Sequence, residues 1–398
     1  MTARREANLG AWSGAHARSA RTVVIVGAGL AGSRCAETLR AEGFDGRIVL
    51  VGDEELPPYE RPTLSKEFLA GERDRIELRP PAHWDERDIE LVLGRRVERL
   101  DLARRTYAGG PPADALVVAT GSRARALPGP TPPGVLTLRT AADADRLRAE
   151  LTHARRLAIV GAGFVGAEVA STARGLGVDV TLIDLTPTPL SRVLGEEAGE
   201  ILAERYRAHG VDLRMGVGLS RIVTSGDGRV EALELADGSV VPCDVALIAI
   251  GAAPASELLG GDRAGIETDA CGRTVHPGVF ACGDVASAWR PSMAAHVRVE
   301  HWTSAAGQAA SVAHAILGRT RPYDDLPYFW SDQFGLRLQH VGHPHGWETT
   351  AVEGDESSFC VRFQDAAGRL LGALVANRPR EIGALRREVL AGAQAVAA

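Results

Sequence analysis

Only five cysteines occur in 398 residues, and no two stand close enough to form a CxxC or CxxxxC pair. Cys35, Cys243, Cys271, Cys282 and Cys360 are scattered, which excludes a local redox-active dithiol and a thiolate metal knot. Reduced thiols in a cytoplasmic protein are expected instead. Cys282 lies in a strand-like motif and is read as a small buried residue. A basic excess is also missing. The net charge of −6 argues against a nucleic-acid binder held by phosphate contacts. No apolar run reaches the ~18 residues that would suggest a membrane span. Residues 1–20 lack the apolar core of a signal peptide and are expected to form a flexible extension. His296, His301, His340, His343 and His345 fit no tight ligand spacing, so no metal is expected.

What is present is an ordinary globular balance, 45% hydrophobic and 24% charged, at a length that predicts two or three domains. Thr22–Val26 is a short β-branched run followed by Gly27-Ala-Gly-Leu-Ala-Gly32. A helical stretch to about Ala41 follows, then a strand Arg47–Val51 with an acid, Asp53, at its end. The pattern repeats. Arg156–Val160 leads into Gly161-Ala-Gly-Phe-Val-Gly166, a helix Ala167–Leu176, and a strand Asp179–Ile183 ending at Asp184. An internal repeat at this distance predicts two nucleotide-binding lobes, not a solenoid.

Three further buried strands end in small residues: Ala115–Ala119 before Thr120-Gly121, Val245–Ile250 before Gly251, and Val279–Cys282 before Gly283-Asp284. Pro128–Pro133 suggests a crossing between domains. Aromatic residues are scarce at 5%, so the cluster after Gly318 marks a change of composition. Alternating runs at Ser358–Phe363 and Leu370–Val375 there predict antiparallel strands, with a helix from about Arg380. The expected fold is α/β: two Rossmann-like three-layer dinucleotide-binding domains plus a C-terminal α+β domain, a glutathione-reductase-like architecture.

In GxGxxG the first glycine makes a tight turn, the second lets backbone approach a pyrophosphate, and the third lets helix pack on strand. The helix dipole and its first N–H groups hold the negative charge. Asp53 and Asp184 could each accept hydrogen bonds from a ribose diol. A carboxylate at 184 repels a 2′-phosphate and favours NADH over NADPH. No Arg follows it directly, and Arg192 could instead reach the pyrophosphate. The order of cofactors follows from Val279–Asp284. An acid at the end of that strand, before an expected helix start, could bond the ribityl chain of FAD. Considered alone, Gly283-Asp284 is a helix cap. Beside two glycine loops it places FAD on the first lobe and NAD(P)H on the second. The expected boundaries are 21–127 and 252–318 for FAD, 128–251 for NAD(P)H and 319–398 for the third domain.

The segments GAGLAG, VGDEELPPYERPTLSKEFL, VVATGSRARALPG, GAGFVGAEVAS, VFACGDVA, VEHWTSAAGQA, PYFWSDQFGLRLQHVG and VANRP occur in that order. With them the chain closely resembles the ferredoxin reductases of bacterial oxygenase systems, of the putidaredoxin, rubredoxin and biphenyl dioxygenase reductase types. The resemblance spans about residues 21–390. It implies hydride transfer from NADH to FAD, then single electrons to an iron–sulfur ferredoxin that feeds a cytochrome P450 or a Rieske-type oxygenase. It implies FAD contacts at Gly27, Ala28, Gly29, Ala31, Gly32, Asp53, Lys66, Val97, Ala119, Thr120, Gly121, Arg139, Gly283, Asp284, Glu300, His301 and Trp302. The NADH contacts fall on Gly161, Gly163, Phe164, Val165, Gly166, Glu168, Asp184, Arg192 and Gly251. The stretch Arg104–Asp114 is compressed relative to the family's strand–turn–strand.

The cofactors carry the chemistry and the protein supplies position and electrostatics, so no side-chain nucleophile or metal is required. Lys66 is expected to place an ammonium where reduced flavin carries negative charge, and Glu168 to pair with it and orient the nicotinamide. Without such roles they would be a solvated lysine and a surface acid. Trp302 and Trp330 are divided between flavin contacts and core packing. Arg290, Arg298, Arg337, Arg378 and Arg380 are docking candidates for an acidic ferredoxin. Competing readings are a disulfide reductase, against which the missing cysteine pair stands, a reductase of a small oxidant, and a flavin-binding interaction protein of the apoptosis-inducing-factor type. The protein is expected as a monomer or homodimer.

Overall fold

The computed structural model describes residues 20–342 and 346–397. Residues 1–19 of the expected extension, and His343 and His345, lie outside the described residues. The longer helices are α1 (Leu30–Ala41), α2 (Ala141–Leu151), α3 (Phe164–Gly175), α4 (Ser191–Ala208), α5 (Trp302–Ile316) and α6 (Ile382–Ala397). The chain divides into two compact units. One holds the residues up to Glu60 with Glu77–Arg123 and Ala253–Pro327; the other holds Arg61–Ile76, Ala124–Ala252 and the chain from Tyr328 on.

In the first unit the β-branched runs pair into a parallel sheet ordered Val279–Ala281, Ala115–Val118, Thr22–Val26, Arg47–Val51, Ile89–Val92. Alternate side chains go to opposite faces and both faces are covered, so the central strands are apolar apart from Thr22 and Arg47 at their starts, and the edge strand carries the exposed Glu90. Val23, Ile25, Ile48 and Leu50 pack with Cys35 and Leu39 of α1 and with Val312 and Ile316 of α5. Val24, Val26, Val49 and Val51 pack on the other face with Leu116 and Val279. Each such fully buried Val, Ile or Leu contributes roughly 1.5–3 kcal/mol. Within the compressed stretch Arg104–Asp114, Thr106–Tyr107 pairs antiparallel with Leu100–Asp101 just before it.

One expectation fails here. A strand, Ala286–Arg290, follows Gly283-Asp284 where a helix start was expected; it pairs with Ile266–Thr268 and Ala295–Val297. Its backbone is paired on both edges by those two neighbours and four of its five residues are buried, and that tertiary setting decides the conformation of a segment whose alanines and serine have no strong preference of their own.

In the second unit a parallel sheet runs Val211–Met215, Asp179–Asp184, Arg156–Val160, Val245–Ile248, Val135–Leu136. A three-stranded antiparallel sheet, Leu219–Thr224, Val230–Leu235 and Val240–Pro242, shares a core with it through Leu233, Leu235 and Val241 against Ala158, Val160 and Ala246. From Tyr328 an antiparallel sheet is ordered Tyr328–Gln333, Leu336–Gly342, Leu370–Ala376, Ser358–Gln364, Thr349–Asp355. α6 packs on Leu370–Ala376, and α3 meets Tyr328–Gln333.

Candidate active site

The first glycine loop shows what each glycine does. Gly27 has φ +114°, and a Cβ there would sit 2.1 Å from the Ala119 carbonyl oxygen. Its N–H donates to Val51 O, and Ala119 N–H donates to Val26 O, so the turn is pinned to both neighbouring strands. A Cβ on Gly32 would lie 1.9 Å from Gly27 O, which is how closely α1 rides on the strand end. Gly29 is different. Nothing lies within 4 Å of where its Cβ would be, and it begins α1 in extended backbone with no side-chain cap. The first turn of α1, flanked by the small Ala28 and Ala31, therefore offers room and uncapped N–H groups, as a pyrophosphate requires.

Asp53 is exposed just beyond Arg47–Val51. Gly283, at φ +79°, comes so near the loop that a Cβ would lie 2.8 Å from the Ala31 methyl, which brings Asp284 beside α1. The Asp284 carboxylate accepts a hydrogen bond from the Ser122 hydroxyl at 2.9 Å. Gly283 N–H donates to Gln308 Oε1 on α5, and Gln308 Nε2 donates to Ser304 Oγ. The helix that serves this motif is thus α5, reached through tertiary contact. His301 precedes α5 and no side chain caps it. Burial pushes the His301 imidazole down to about 4, against a smaller opposing pull from Asp284. Trp302 donates its indole N–H to Glu60 Oε2 at 2.8 Å, with the Arg34 guanidinium 5.7 Å from the ring. Glu300 is exposed and pairs with Arg298. Thr120 Oγ1 donates to Ala255 O, Gly121 has φ +69°, and Val97 is half-buried against the Val24 and Val26 face.

The second loop repeats the design in its own unit. A Cβ on Gly161 would meet Ala249 O at 2.3 Å, one on Gly166 would meet Gly161 O at 2.0 Å, and at Gly163 nothing lies within 4 Å. Gly163 is the cap of α3, so that helix begins at Phe164, a turn before the expected Ala167. Asp184 ties the loop. Its Oδ2 accepts from Ala162 N–H at 2.7 Å, and its Oδ1 accepts from the Thr186 N–H and hydroxyl, both at 2.9 Å. Leu190 N–H donates back to Ala162 O. Three large apolar side chains stand open at these strand ends: Val165 (40% exposed), Leu185 (67%) and Ile250 (39%). Gly251 has open space, and Arg192 is exposed at the start of α4. Strand order reverses between Arg156–Val160 and Val245–Ile248, and the crevice at such a point is where open α/β sheets take ligands. The exposure of Ile250 has no signature in the sequence, where it continues an apolar run, whereas Leu185 stands alone between Asp184 and Thr186.

Lys66 and Glu168 meet. Lys66 Nζ lies 2.7 Å from Glu168 Oε2, with the side chains 13% and 8% exposed. Lys66 Nζ also donates to Pro62 O at 2.9 Å. Ser65 Oγ donates to Glu168 Oε2 at 2.5 Å, and Ser331 Oγ donates to Oε1 at 2.6 Å. Thr172, one turn along α3, donates to Ser65 O and fastens the Leu64-Ser65-Lys66 segment to the helix. Sequence reasoning missed Ser65 and Ser331, although both stand inside the LSK and FWSDQ motifs. Phe164 stacks edge-on against Phe329 at 4.6 Å, and Trp330 is tilted against Tyr328 at 6.3 Å. Arg139 belongs to this unit, and its carbonyl accepts from Arg61.

The docking candidates separate. Arg290 is 3% exposed, with its guanidinium 4.2 Å from the Tyr323 ring centroid and donating to Ser304 Oγ, so it is unavailable to a partner. Arg298 and Arg378 are engaged locally, while Arg337 and Arg380 are exposed. All five cysteines are free and buried. Among the described residues no group of three or more His, Cys, Asp or Glu gathers as a metal set, and no helix is long and apolar enough to cross a membrane.

Residues 21–309 match the family described as pyridine nucleotide-disulphide oxidoreductase. The chain belongs to that family. Residues 328–398 match the family described as reductase C-terminal. Within the family the chain is 40% identical over 390 residues to the anthranilate 1,2-dioxygenase system ferredoxin–NAD(+) reductase component of Burkholderia cepacia, covering 94% of this chain and 95% of that one. It is also 40% identical to the 5,5′-dehydrodivanillate O-demethylase ferredoxin reductase subunit of Sphingobium sp., covering 85% and 86%. Among solved structures, putidaredoxin reductase in its covalent complex with putidaredoxin superposes with a TM-score of 0.88 at 33% identity, covering 93% of each chain.

Proposed function

We propose that this oxidoreductase moves a hydride from NADH to FAD and passes single electrons to an iron–sulfur ferredoxin serving an oxygenase. The observation that carries the reading is the pair of glycine loops, each closed by backbone at its first and third glycine and open at its second. Two such cradles suit two dinucleotides. The first loop, with Asp284 and α5 beside it, suits FAD, whose extra flavin phosphate and ribityl chain need a further set of contacts. Asp53, Val97, Ala119, Thr120, Gly121, Gly283 and His301 complete that set. The second loop suits NADH. Asp184 holds a carboxylate at the strand end, which disfavours a 2′-phosphate, and its neighbour Leu185 is apolar.

Bound FAD supplies the capacity to take two electrons from a nicotinamide and release them singly. The chain supplies charge and position. Lys66 and Glu168, on the second unit with the NADH loop, form a nearly buried ion pair that holds an ammonium fixed beside α3. Named relatives act with ferredoxins, which supports the acceptor. Five buried free thiols leave no dithiol to accept electrons in a disulfide-reductase cycle. Such thiols, with NADH as donor, suit a reducing compartment such as the cytoplasm. The domain reading is a FAD lobe, an NADH lobe and a C-terminal lobe from about residue 328.

Steady-state reduction of cytochrome c by NADH should rise several-fold when ferredoxins from the same genome are added, and NADPH should be a poor donor. Flavin reduction by NADH with no ferredoxin stimulating turnover would refute the acceptor and leave the cofactors standing.

A further inference from the structure

We infer that Ser331, backed by Gln333 and Tyr206, is a positioning residue that fixes the carboxylate of Glu168 in the orientation in which it holds Lys66. This rests on the reading of Lys66 and Glu168 as the charged pair of the hydride-transfer site.

The strand Tyr328–Gln333 alternates, and one face carries Phe329, Ser331 and Gln333, all buried. Ser331 and Gln333 occupy positions where apolar residues would be expected, and buried polar groups are costly unless they are bonded. Their bonds run in one direction. The Tyr206 hydroxyl on α4 donates to Gln333 Oε1. Gln333 Nε2 donates to Ser331 Oγ at 3.1 Å. Ser331 Oγ donates to Glu168 Oε1 at 2.6 Å.

The direction matters. A phenol hydroxyl facing the Gln333 oxygen turns the amide NH2 toward Ser331. With that NH2 on its lone pair, the Ser331 hydroxyl keeps its proton for Glu168. Burial, and the Glu168 charge behind it, hold the Tyr206 phenol well above its usual range, so it stays a donor. At the other end, Glu168 Oε2 is already occupied by Lys66 and Ser65. The terminal torsion of a glutamate is soft. Without a donor on Oε1 the carboxylate plane could turn, and the ammonium would move with it. Three side chains from two other elements remove that freedom.

The test uses the FAD-loaded protein and anaerobic stopped-flow reduction by NADH, with Ser331→Ala, Tyr206→Phe, Ser331→Thr and Glu168→Gln. Ser331→Ala should lower the limiting rate roughly tenfold, the scale of one lost hydrogen bond to a charged group. The NADH dissociation constant should stay within about twofold of wild type, and Ser331→Thr, which keeps the hydroxyl, should recover most of the rate. Tyr206→Phe should lower the rate less, in the same sense. A merely structural brace would instead lower the melting temperature or NADH affinity and leave the limiting rate alone. Limiting rates near wild type in Ser331→Ala and Tyr206→Phe, with Glu168→Gln slow, would overturn the inference. If Glu168→Gln is also near wild type, the underlying reading of the pair fails, and this one with it. Should Ser331→Ala not load FAD, Tyr206→Phe, which removes one oxygen atom and keeps the ring, decides alone.

Discussion

At the scale of single residues, the three glycines of a loop are not equivalent, and substitution should separate them. Gly163→Ala puts a methyl into open space in extended backbone that alanine adopts freely, so melting should be unchanged while NADH binding weakens about tenfold or more. Gly166→Ala drives a methyl into the Gly161 carbonyl and should cost at least about 2 kcal/mol. Thermal melts with NADH titrations check both, and equal effects at the two positions would contradict the cradle. These roles were legible from spacing alone, because GxGxxG encodes backbone geometry. The partners of Asp184 were not. The spacing marks an acid at the strand end, but which N–H groups it accepts depends on the turn at Ala162 and Thr186, which no spacing reveals. That Lys66 and Glu168 meet was expected from their placement and from the resemblance to similar flavoproteins, whereas Ser331, 163 residues from Glu168 in sequence, had no local signal.

At the scale of elements, apolar β-branched runs gave strand positions within a residue or two, since both faces of a parallel sheet are buried. Ala286–Arg290 escaped this logic, because its conformation comes from its neighbours. The helix serving Asp284 begins at Trp302, and the link from Gly283 to it spans 25 residues. That junction has a pH dependence. His301 is held neutral, its folded value about 4 against an ordinary 6.5. A depressed histidine adds stability above the unfolded value, and that stability is lost as pH falls from 6.5 toward 4. The FAD-loaded protein should therefore lose up to about 3 kcal/mol more over that window than the His301→Gln protein does. Urea unfolding at several pH values measures it; identical profiles would show that His301 titrates normally.

At the scale of the whole molecule, composition limited the class and motifs supplied the rest. The lack of paired cysteines, visible at once, acquires a physical basis in the fold. Burial raises the Cys35 thiol well above its usual value, and pushes Cys282 up to about 12 and Cys243 to about 11. In the native protein none of the five should react with an aromatic disulfide reagent within minutes, and all should react after denaturation. A fast-reacting native thiol would reopen the disulfide branch of the family.

The chain of donors behind Glu168 has one more consequence. It passes through an amide, and an amide nitrogen does not give up a proton and regain one under ordinary conditions. Tyr206, Gln333 and Ser331 can therefore orient a charge but cannot conduct protons to it. The Oε1 side of Glu168 is insulated, and any proton the carboxylate exchanges must travel by a route other than these three side chains.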